Sequence, residues 1–395
     1  MYKRHQYYEL KDRLEEERYK IQVITGPRQV GKSTMVNQVL EELSIPSMSI
    51  SADGIAKDNH TWISQNWESA RARLKLSEAK EFILVIDEIH KIDNWSESVK
   101  REWDFDSMHH INIKVVILGS SRLLIKEGLT ESLAGRYELI RMGYWMYREM
   151  REAFDISLNE YVYFGGYPGS VKFYKNEMRW QRYIKDSIVD PVINLDILTT
   201  KILYKPELMR RLLELGCAYS GEEISLTKLL GQLQDAGNVT TLANYLSILS
   251  EVQILCGLRK YANDGARKYN SIPKMFVYNN ALLSALNGSN FEQVFTNAKE
   301  WGRWVESAVG AFLLDKAEEQ GFRIFYWRER NKEVDFVLEH KGRFVAIEVK
   351  SGNEFTTDGL AEFSEKFRPM RTLIVGNSAF PLEEFLNIDP LRLFD

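Results

Sequence analysis

The sequence predicts an α/β protein in three parts. A parallel sheet wraps a phosphate-binding loop, a helical middle region carries a two-stranded wing, and a smaller α/β sheet closes the chain. Three observations predict this. Gly26-Pro27-Arg28-Gln29-Val30-Gly31-Lys32-Ser33 is a complete G-x-x-x-x-G-K-[ST] loop set between an apolar strand (21–25) and a helical run (33–43). Strand and helix patterns then alternate: strand 47–51, helix 61–77, strand 82–86, helix 95–103, strand 114–118. Residues 334–350 alternate apolar and polar with period two on either side of Lys341-Gly342, the pattern of an amphipathic hairpin.

The loop requires its residue types. Gly26 and Gly31 let the backbone curl so that successive N–H groups converge on phosphate oxygens, and the following helix adds its positive end. Lys32 supplies a cation for the β- and γ-phosphates and Ser33 a hydroxyl for Mg²⁺, with Pro27, Arg28, Gln29, Val30 and Thr34 completing the nucleotide cradle. Phe82-Ile83-Leu84-Val85-Ile86 reads as a strand buried on both faces, and it ends in Asp87-Glu88. An acid at the carboxyl end of such a strand lies where parallel sheets collect their ligands. Asp87 is then expected to hold Mg²⁺, and Glu88 to orient and deprotonate the attacking water. The third strand ends in Gly119-Ser120-Ser121. Ser120 and Ser121 are candidates to contact the γ-phosphate or the lytic water, and serine there also serves as a plain helix cap. Guanine recognition by Asn-Lys-x-Asp is excluded: in Asn331-Lys332-Glu333-Val334-Asp335 the acid comes one residue too late. No Leu-Ser-Gly-Gly-Gln signature of transporter ATPases occurs. The expected cofactors are ATP and Mg²⁺.

A chain of 395 residues exceeds one ordinary core. The expected domains are 1–204, 205–290 and 291–395. No apolar run reaches membrane-spanning length, which predicts no membrane partner. Two cysteines, Cys217 and Cys256, make neither a disulfide framework nor a zinc site, which predicts a cytoplasmic protein. A net charge of −4 exerts no global pull on nucleic acid, so any such contact needs a local patch. Gly165-Gly166-Tyr167-Pro168-Gly169 reads as a turn cluster marking a hinge or boundary. Beyond it, helices at 206–218, from 224 and at 239–252, with strands at 253–260 and 274–278, make a winged helix. Its wing carries Arg259, Lys260, Arg267 and Lys268 against Asp264. That patch suits a phosphate backbone, a solvated hairpin tip or a subunit contact, and the proposed recognition helix carries almost no positive charge.

In the last region a helix (301–320) carries Glu306, one strand (334–338) carries Asp335, and the next (344–350) carries Glu348 and Lys350. The Lys341-Gly342 turn pairs His340 with Arg343, which sets Asp335 opposite Glu348. The other face is expected to be Val334, Phe336 and Leu338 with Val345, Ile347 and Val349. Facing carboxylates repel unless a cation sits between them. With Mg²⁺ there, Lys350 polarising water and Glu306 completing the set, the residues form a metal-dependent phosphodiesterase constellation. The same alternation also fits a hairpin with one solvated face.

With these residues in view, the chain resembles a family of bacterial and archaeal AAA-type ATPases that carry a C-terminal domain of unknown function. The resemblance spans nearly the whole chain. It rests on Gly26–Thr34, Ile86-Asp87-Glu88, Gly119-Ser120-Ser121, Leu133-Ala134-Gly135-Arg136, Gly165–Pro168, Val334–Val337 and Ile347–Gly352. The last pair is similar to the core of the PD-(D/E)xK, restriction-endonuclease-like fold. The resemblance implies an ATP hydrolase whose C-terminal domain acts on nucleic acid. The alternative is an ATP-driven switch or scaffold for a protein partner, with a catalytically inactive nuclease-like domain. It further implies that Arg136 is an arginine finger or γ-phosphate sensor, and hence a homo-oligomer or closure within the chain. A surface arginine after a glycine turn reads equally well. Two segments depart from the family: Asn279-Asn280-Ala281 replaces Asp-x-Gly, and Met142-Gly143-Tyr144-Trp145, with Glu149 beyond, replaces a Pro-Leu-Ser loop.

Overall fold

The computed structural model describes residues 1–119, 128–129, 132–198, 205–233, 238–262, 271–352, 357–376 and 379–395. Ser120 and Ser121, and the wing residues Asp264, Arg267 and Lys268, lie outside that set. The chain divides into two compact units, Met1–Gly143 and Tyr144–Asp395.

In the first unit the strands predicted from apolar runs form, with helices between them. α1 (His5–Glu15) leads into β1 (Ile21–Thr25), α2 (Lys32–Glu42), β2 (Ser47–Ser51), α3 (Thr61–Leu76), β3 (Phe82–Asp87), α4 (Trp95–Met108), β4 (Ile113–Gly119) and β5 (Tyr137–Arg141). The sheet is parallel throughout, in the order β2-β3-β4-β1-β5. β1 and β4 are buried at every position, as expected of central strands in a parallel sheet covered on both faces. Trp67, Trp95 and Trp103, from α3 and α4, pack into the core with Ile63, Leu84 and Val115. β5 has no continuous apolar run, which is why its Tyr-Glu-Leu-Ile-Arg pattern passes unnoticed in sequence. It forms at the sheet edge by pairing Ile21–Thr25 with Tyr137–Arg141. One strand, β4, separates β1 from β3. In register, Thr25 lies beside Gly119 and Asp87 beside Leu118. The ends of β1, β4 and β3 therefore open on one edge.

The second unit begins with α5 (Tyr147–Phe154), α6 (Leu158–Phe164) and α7 (Glu177–Ile184), followed by π-helical turns at Lys185–Val189 and Val192–Ile197. α8 (Pro206–Ala218), α9 (Leu226–Gln232) and α10 (Val239–Glu251) precede an antiparallel pair, β6 (Leu255–Leu258) and β7 (Lys274–Val277). α11 (Asn280–Asn287), α12 (Phe291–Thr296) and the long α13 (Ala298–Gln320) lead to β8 (Arg323–Glu329), β9 (Lys332–His340) and β10 (Arg343–Lys350). α14 (Asp358–Phe367) then crosses to β11 (Arg371–Gly376), and the sheet order is β11-β10-β9-β8.

Three expectations are corrected here. The glycine cluster at 165–169 is a packed joint rather than a hinge. A Cβ on Gly165 would lie 1.9 Å from Asn279 Oδ1, and one on Gly166 would lie 2.1 Å from the Trp145 carbonyl. The wing is docked along its first arm: Tyr326 N–H donates to Arg259 O (3.1 Å) and Tyr261 N–H to Tyr326 O (2.6 Å), while the Tyr261 ring joins the core of Phe325, Trp327 and Phe363. Finally, the faces of β9 do not alternate cleanly. Phe325 pairs with Val337 but Trp327 with Val334, so β9 holds an extra residue between them. This bulge turns Val334 into the core of Val337 and Ala346 beneath Leu360 and Phe363.

Candidate functional site

The loop after β1 curls through two left-handed residues, Gln29 (φ 63°) and Gly31 (φ 91°). Gly26 is required for a different reason: a Cβ there would lie 1.9 Å from the Met142 carbonyl, and the Met142 N–H donates to Thr25 O at 2.8 Å. Val30 is fully buried and anchors the loop, whereas Gln29, Ser33 and Thr34 are exposed. Lys32 is buried, and its Nζ donates to the carbonyls of Gly26 (2.9 Å) and Pro27 (2.8 Å). Ser33, in the first turn of α2, donates its Oγ hydrogen to Asp87 Oδ2 at 3.0 Å. Burial, and then the neighbouring charge of Glu88, push the Asp87 carboxyl above the usual range against the pull of Ser33 and Lys32. Glu88 sits in a left-handed turn (φ 54°) with its N–H on Leu118 O (3.0 Å) and its carboxylate 3.5 Å from His90 Nε2 and 3.8 Å from Lys91 Nζ. The loop, Asp87 and Glu88 thus share one edge of the sheet.

Arg136 does not join them. It precedes β5, where its carbonyl accepts from Ile21 N–H at 2.9 Å, at the start of β1 rather than its end. About 16 Å of strand separates that position from the loop. Its guanidinium grips the Asp104 carboxylate of α4 in two-pronged fashion, at 2.8 and 2.9 Å. In this placement the guanidinium is engaged by Asp104 and lies away from its own loop.

In the second unit two of the three expected acids, Glu306 and Asp335, converge with Glu333 around a cation that the sequence reading missed, whereas Glu348, expected opposite Asp335, does not join them. Lys274 of β7 is 2% exposed. Its Nζ lies 2.6 Å from Glu306 Oε1, 2.6 Å from Glu333 Oε1 and 3.3 Å from Asp335 Oδ1. Burial alone would lower the Lys274 ammonium; the three carboxylates outweigh it and hold it well above its ordinary value. Burial pushes the Glu306 carboxyl up to about 8, with Lys274 pulling it back and Asp335 and Glu333 adding to the rise. The β9–β10 ladder runs as expected from His340↔Arg343 to Phe336↔Ile347. Beyond it, Asp335 Oδ2 accepts the Val349 N–H at 2.8 Å, so a side chain takes over from the backbone. Glu348 pairs with Lys350 (2.7 Å), and its Oε2 has no hydrogen-bond partner among the described residues. Glu306, Glu333 and Asp335 offer oxygens within 4.8 Å of one another; Glu348 is not of that group. Lys274 and Glu333 escaped notice because neither belongs to the E-x-K element. The one available signal was a lysine heading the otherwise apolar run Met275-Phe276-Val277.

Residues 18–151 match the model of an AAA domain. This part of the chain is similar to an AAA domain. Residues 155–293 and 301–391 match two domains of unknown function (DUF8612 and DUF4143). A search of the curated proteins finds no match. Among solved structures, a chain from "Structural Basis for Katanin Self-Assembly" is 20% identical over 34% of this chain and 44% of that one, with a TM-score of 0.26. A chain from "Structural Basis for DNA Unwinding at Forked dsDNA by two coordinating Pif1 helicases" is 14% identical over 36% and 44%, also at 0.26. This chain thus spans less than half the length of either. No helix among the described residues is long and apolar enough to cross a membrane.

Proposed function

We propose that the protein hydrolyses ATP at the edge formed by β1, β3 and β4. The observation that carries this reading is the Ser33 Oγ to Asp87 Oδ2 contact of 3.0 Å beside a buried Lys32. Loop and acid come from strands separated by β4, and they still meet. ATP with Mg²⁺ fits these residues, because a hydroxyl and a carboxylate oxygen side by side are the ligands that ion takes. Bound Mg²⁺ neutralises charge on the phosphates. Lys32 exchanges the Gly26 and Pro27 carbonyls for phosphate oxygens, the loop N–H groups orient the chain of phosphates, and Glu88 takes the proton of the attacking water. Lys32→Ala should abolish tight ATP binding. Glu88→Gln should keep binding and lose turnover by at least ~100-fold. Wild-type turnover in Glu88→Gln sinks the assignment.

For the chain as a whole we read three segments, 1–204, 205–290 and 291–395: the ATPase core with a helical lid, a winged-helix-like middle and a nuclease-like end, with 144–198 of the first packed in the second compact unit. Lys274, seated among the acids, favours the second of the two functional alternatives, an ATP-driven switch or scaffold whose nuclease-like domain does not cut constitutively. Arg136 retains a role only toward the loop of another subunit, which requires a homo-oligomer. Cys217 and Cys256, both free thiols, suit a reducing cytosol.

A further inference from the structure

We propose that the exposed side of α7, with the turn before it, binds the phosphate backbone of a nucleic acid without reading its bases. The inference goes beyond ATP hydrolysis. Its readouts involve no nucleoside triphosphate, so a failed ATPase assay leaves it standing.

The surface between Pro168 and Asp186 gathers cations. Lys172, Lys175, Arg179, Arg182 and Lys185 are exposed, while Trp180 and Ile184 turn inward and are fully buried. Arg179 and Arg182 are three residues apart, as are Arg182 and Lys185, so they share one side of the helix. Only one acid of the stretch, Asp186, is exposed with them. Glu177 is drawn inward instead: its Oε2 accepts the Phe291 N–H (3.0 Å) and the Tyr163 hydroxyl (3.3 Å). Asp190, further along, is held by Arg210, and Glu160 by the start of α6.

None of the five cations forms an ion pair among the described residues. Other arginines of this unit are neutralised: Arg148 by Glu152, Arg151 by Glu383 and Arg211 by Glu207. A second observation concerns Phe173. The Arg179 guanidinium lies 4.7 Å and the Lys172 ammonium 5.0 Å from the centre of its ring, which itself packs against Tyr183 at 5.0 Å. One aromatic pair thus gathers two cations where no carboxylate does.

Charge complementarity selects the occupant. Like charges held together without counter-ions favour a partner of dense, regular negative charge, and a nucleic-acid strand carries one charge per ~3.4 Å. Cations already occupy the Phe173 ring, so contacts run to phosphate rather than by base stacking. A membrane-surface helix needs an apolar face turned to lipid. α7 buries its apolar side in the protein and leaves only Met178 as a large exposed apolar residue.

The test uses the full chain and fluorescein-labelled DNA of two unrelated sequences, single- and double-stranded, read by anisotropy. Wild type should bind both sequences equally, and its log affinity should fall against log salt with a slope of about −3. Arg179→Glu/Arg182→Glu should lose at least ~10-fold at low salt and flatten that slope. Lys175→Glu/Arg182→Glu, which leaves both cations on Phe173, should do the same and keeps the test open if the first variant misfolds. Arg148→Glu/Arg211→Glu, with the same change in net charge, should stay within about twofold. No binding by wild type at low salt, or equal losses in the α7 and control variants, overturns the proposal. So does tighter binding to phosphatidylserine vesicles than to DNA, or a doubled mass in light scattering, if Arg179→Glu/Arg182→Glu abolishes it. The first makes this side a membrane contact, and the second an interface between copies of the chain.

Discussion

Two buried lysines illustrate how one residue type takes opposite tasks. Lys32 rests on two backbone carbonyls, a weak hold that phosphate oxygens can replace. Lys274 rests on three carboxylates and is committed. Burial raises Glu306 against the pull of that lysine. Its carboxyl titrates near 8 in the folded protein against 4.5 for an ordinary glutamate, with Lys274, Glu333, Asp335, Arg303 and Lys350 as its charged neighbours. The folded state holds this proton more tightly than the unfolded chain does. Glu306 therefore favours folding at low pH, and that contribution drains away as pH climbs from about 4.5 and is gone above about 8. In EDTA, urea midpoints should fall between pH near 6 and pH near 9 for wild type, and Glu306→Gln should flatten the fall. Parallel slopes in the two proteins would show that the proton resides elsewhere.

At the scale of elements, polar side chains tie the helices of the second unit where sequence patterns showed only departures from a family. Asn279 Oδ1 accepts the N–H groups of both Gly166 and Ala281 at 3.1 Å, capping α11 and holding the glycine joint. Asn280 Nδ2 donates to Val162 O of α6 (2.7 Å) and Trp304 O of α13 (2.9 Å), so one buried amide binds three helices. Asn280→Ala should cost about 1–3 kcal/mol in urea unfolding, the range for removing a buried hydrogen-bonding group. A loss under ~0.5 kcal/mol would mean the helices hold together by packing alone. The other departure behaves alike: Tyr144 N–H donates to Asp315 Oδ1 (3.1 Å) and Tyr144 O–H to Gln253 O (2.7 Å), while the Glu149 carboxylate accepts the Met146 N–H at the start of α5.

For the whole molecule, the placement of Arg136 constrains how ATP turnover is completed. Bound to Asp104 at the far end of β1, it lies away from its own loop. Arg136→Ala should leave ATP affinity within about twofold and cost no more than ~1 kcal/mol of stability, as for an exposed ion pair. If subunits supply the arginine to one another, turnover per wild-type chain rises with protein concentration and that of Arg136→Ala does not. Light scattering with a slowly hydrolysed analogue would then show a mass increase. Concentration-independent turnover in both proteins retires Arg136 from the chemistry.

Local chemistry made the meeting of the loop and the Asp87 strand end legible in the sequence. Gly31, Lys32, Ser33, Asp87 and Glu88 lie within short motifs whose spacing is dictated by backbone curvature and strand polarity, so the residues that meet in space are announced by their neighbours in the chain. Phe82–Ile86 and Val115–Leu118 were readable as strands because burial on both faces of a parallel sheet demands continuous apolar runs. β5 was not, because an edge strand has no such demand. In the C-terminal sheet the turn at Lys341-Gly342 determined the register as far as Phe336↔Ile347. The bulge in β9 and the approach of β7 were decided only by tertiary packing. A bulge adds one residue without changing composition, and Lys274 reaches Asp335 from 61 residues away. No local pattern encodes a contact between strands of different sheets, so the sequence could name two of the acids but not the cation between them.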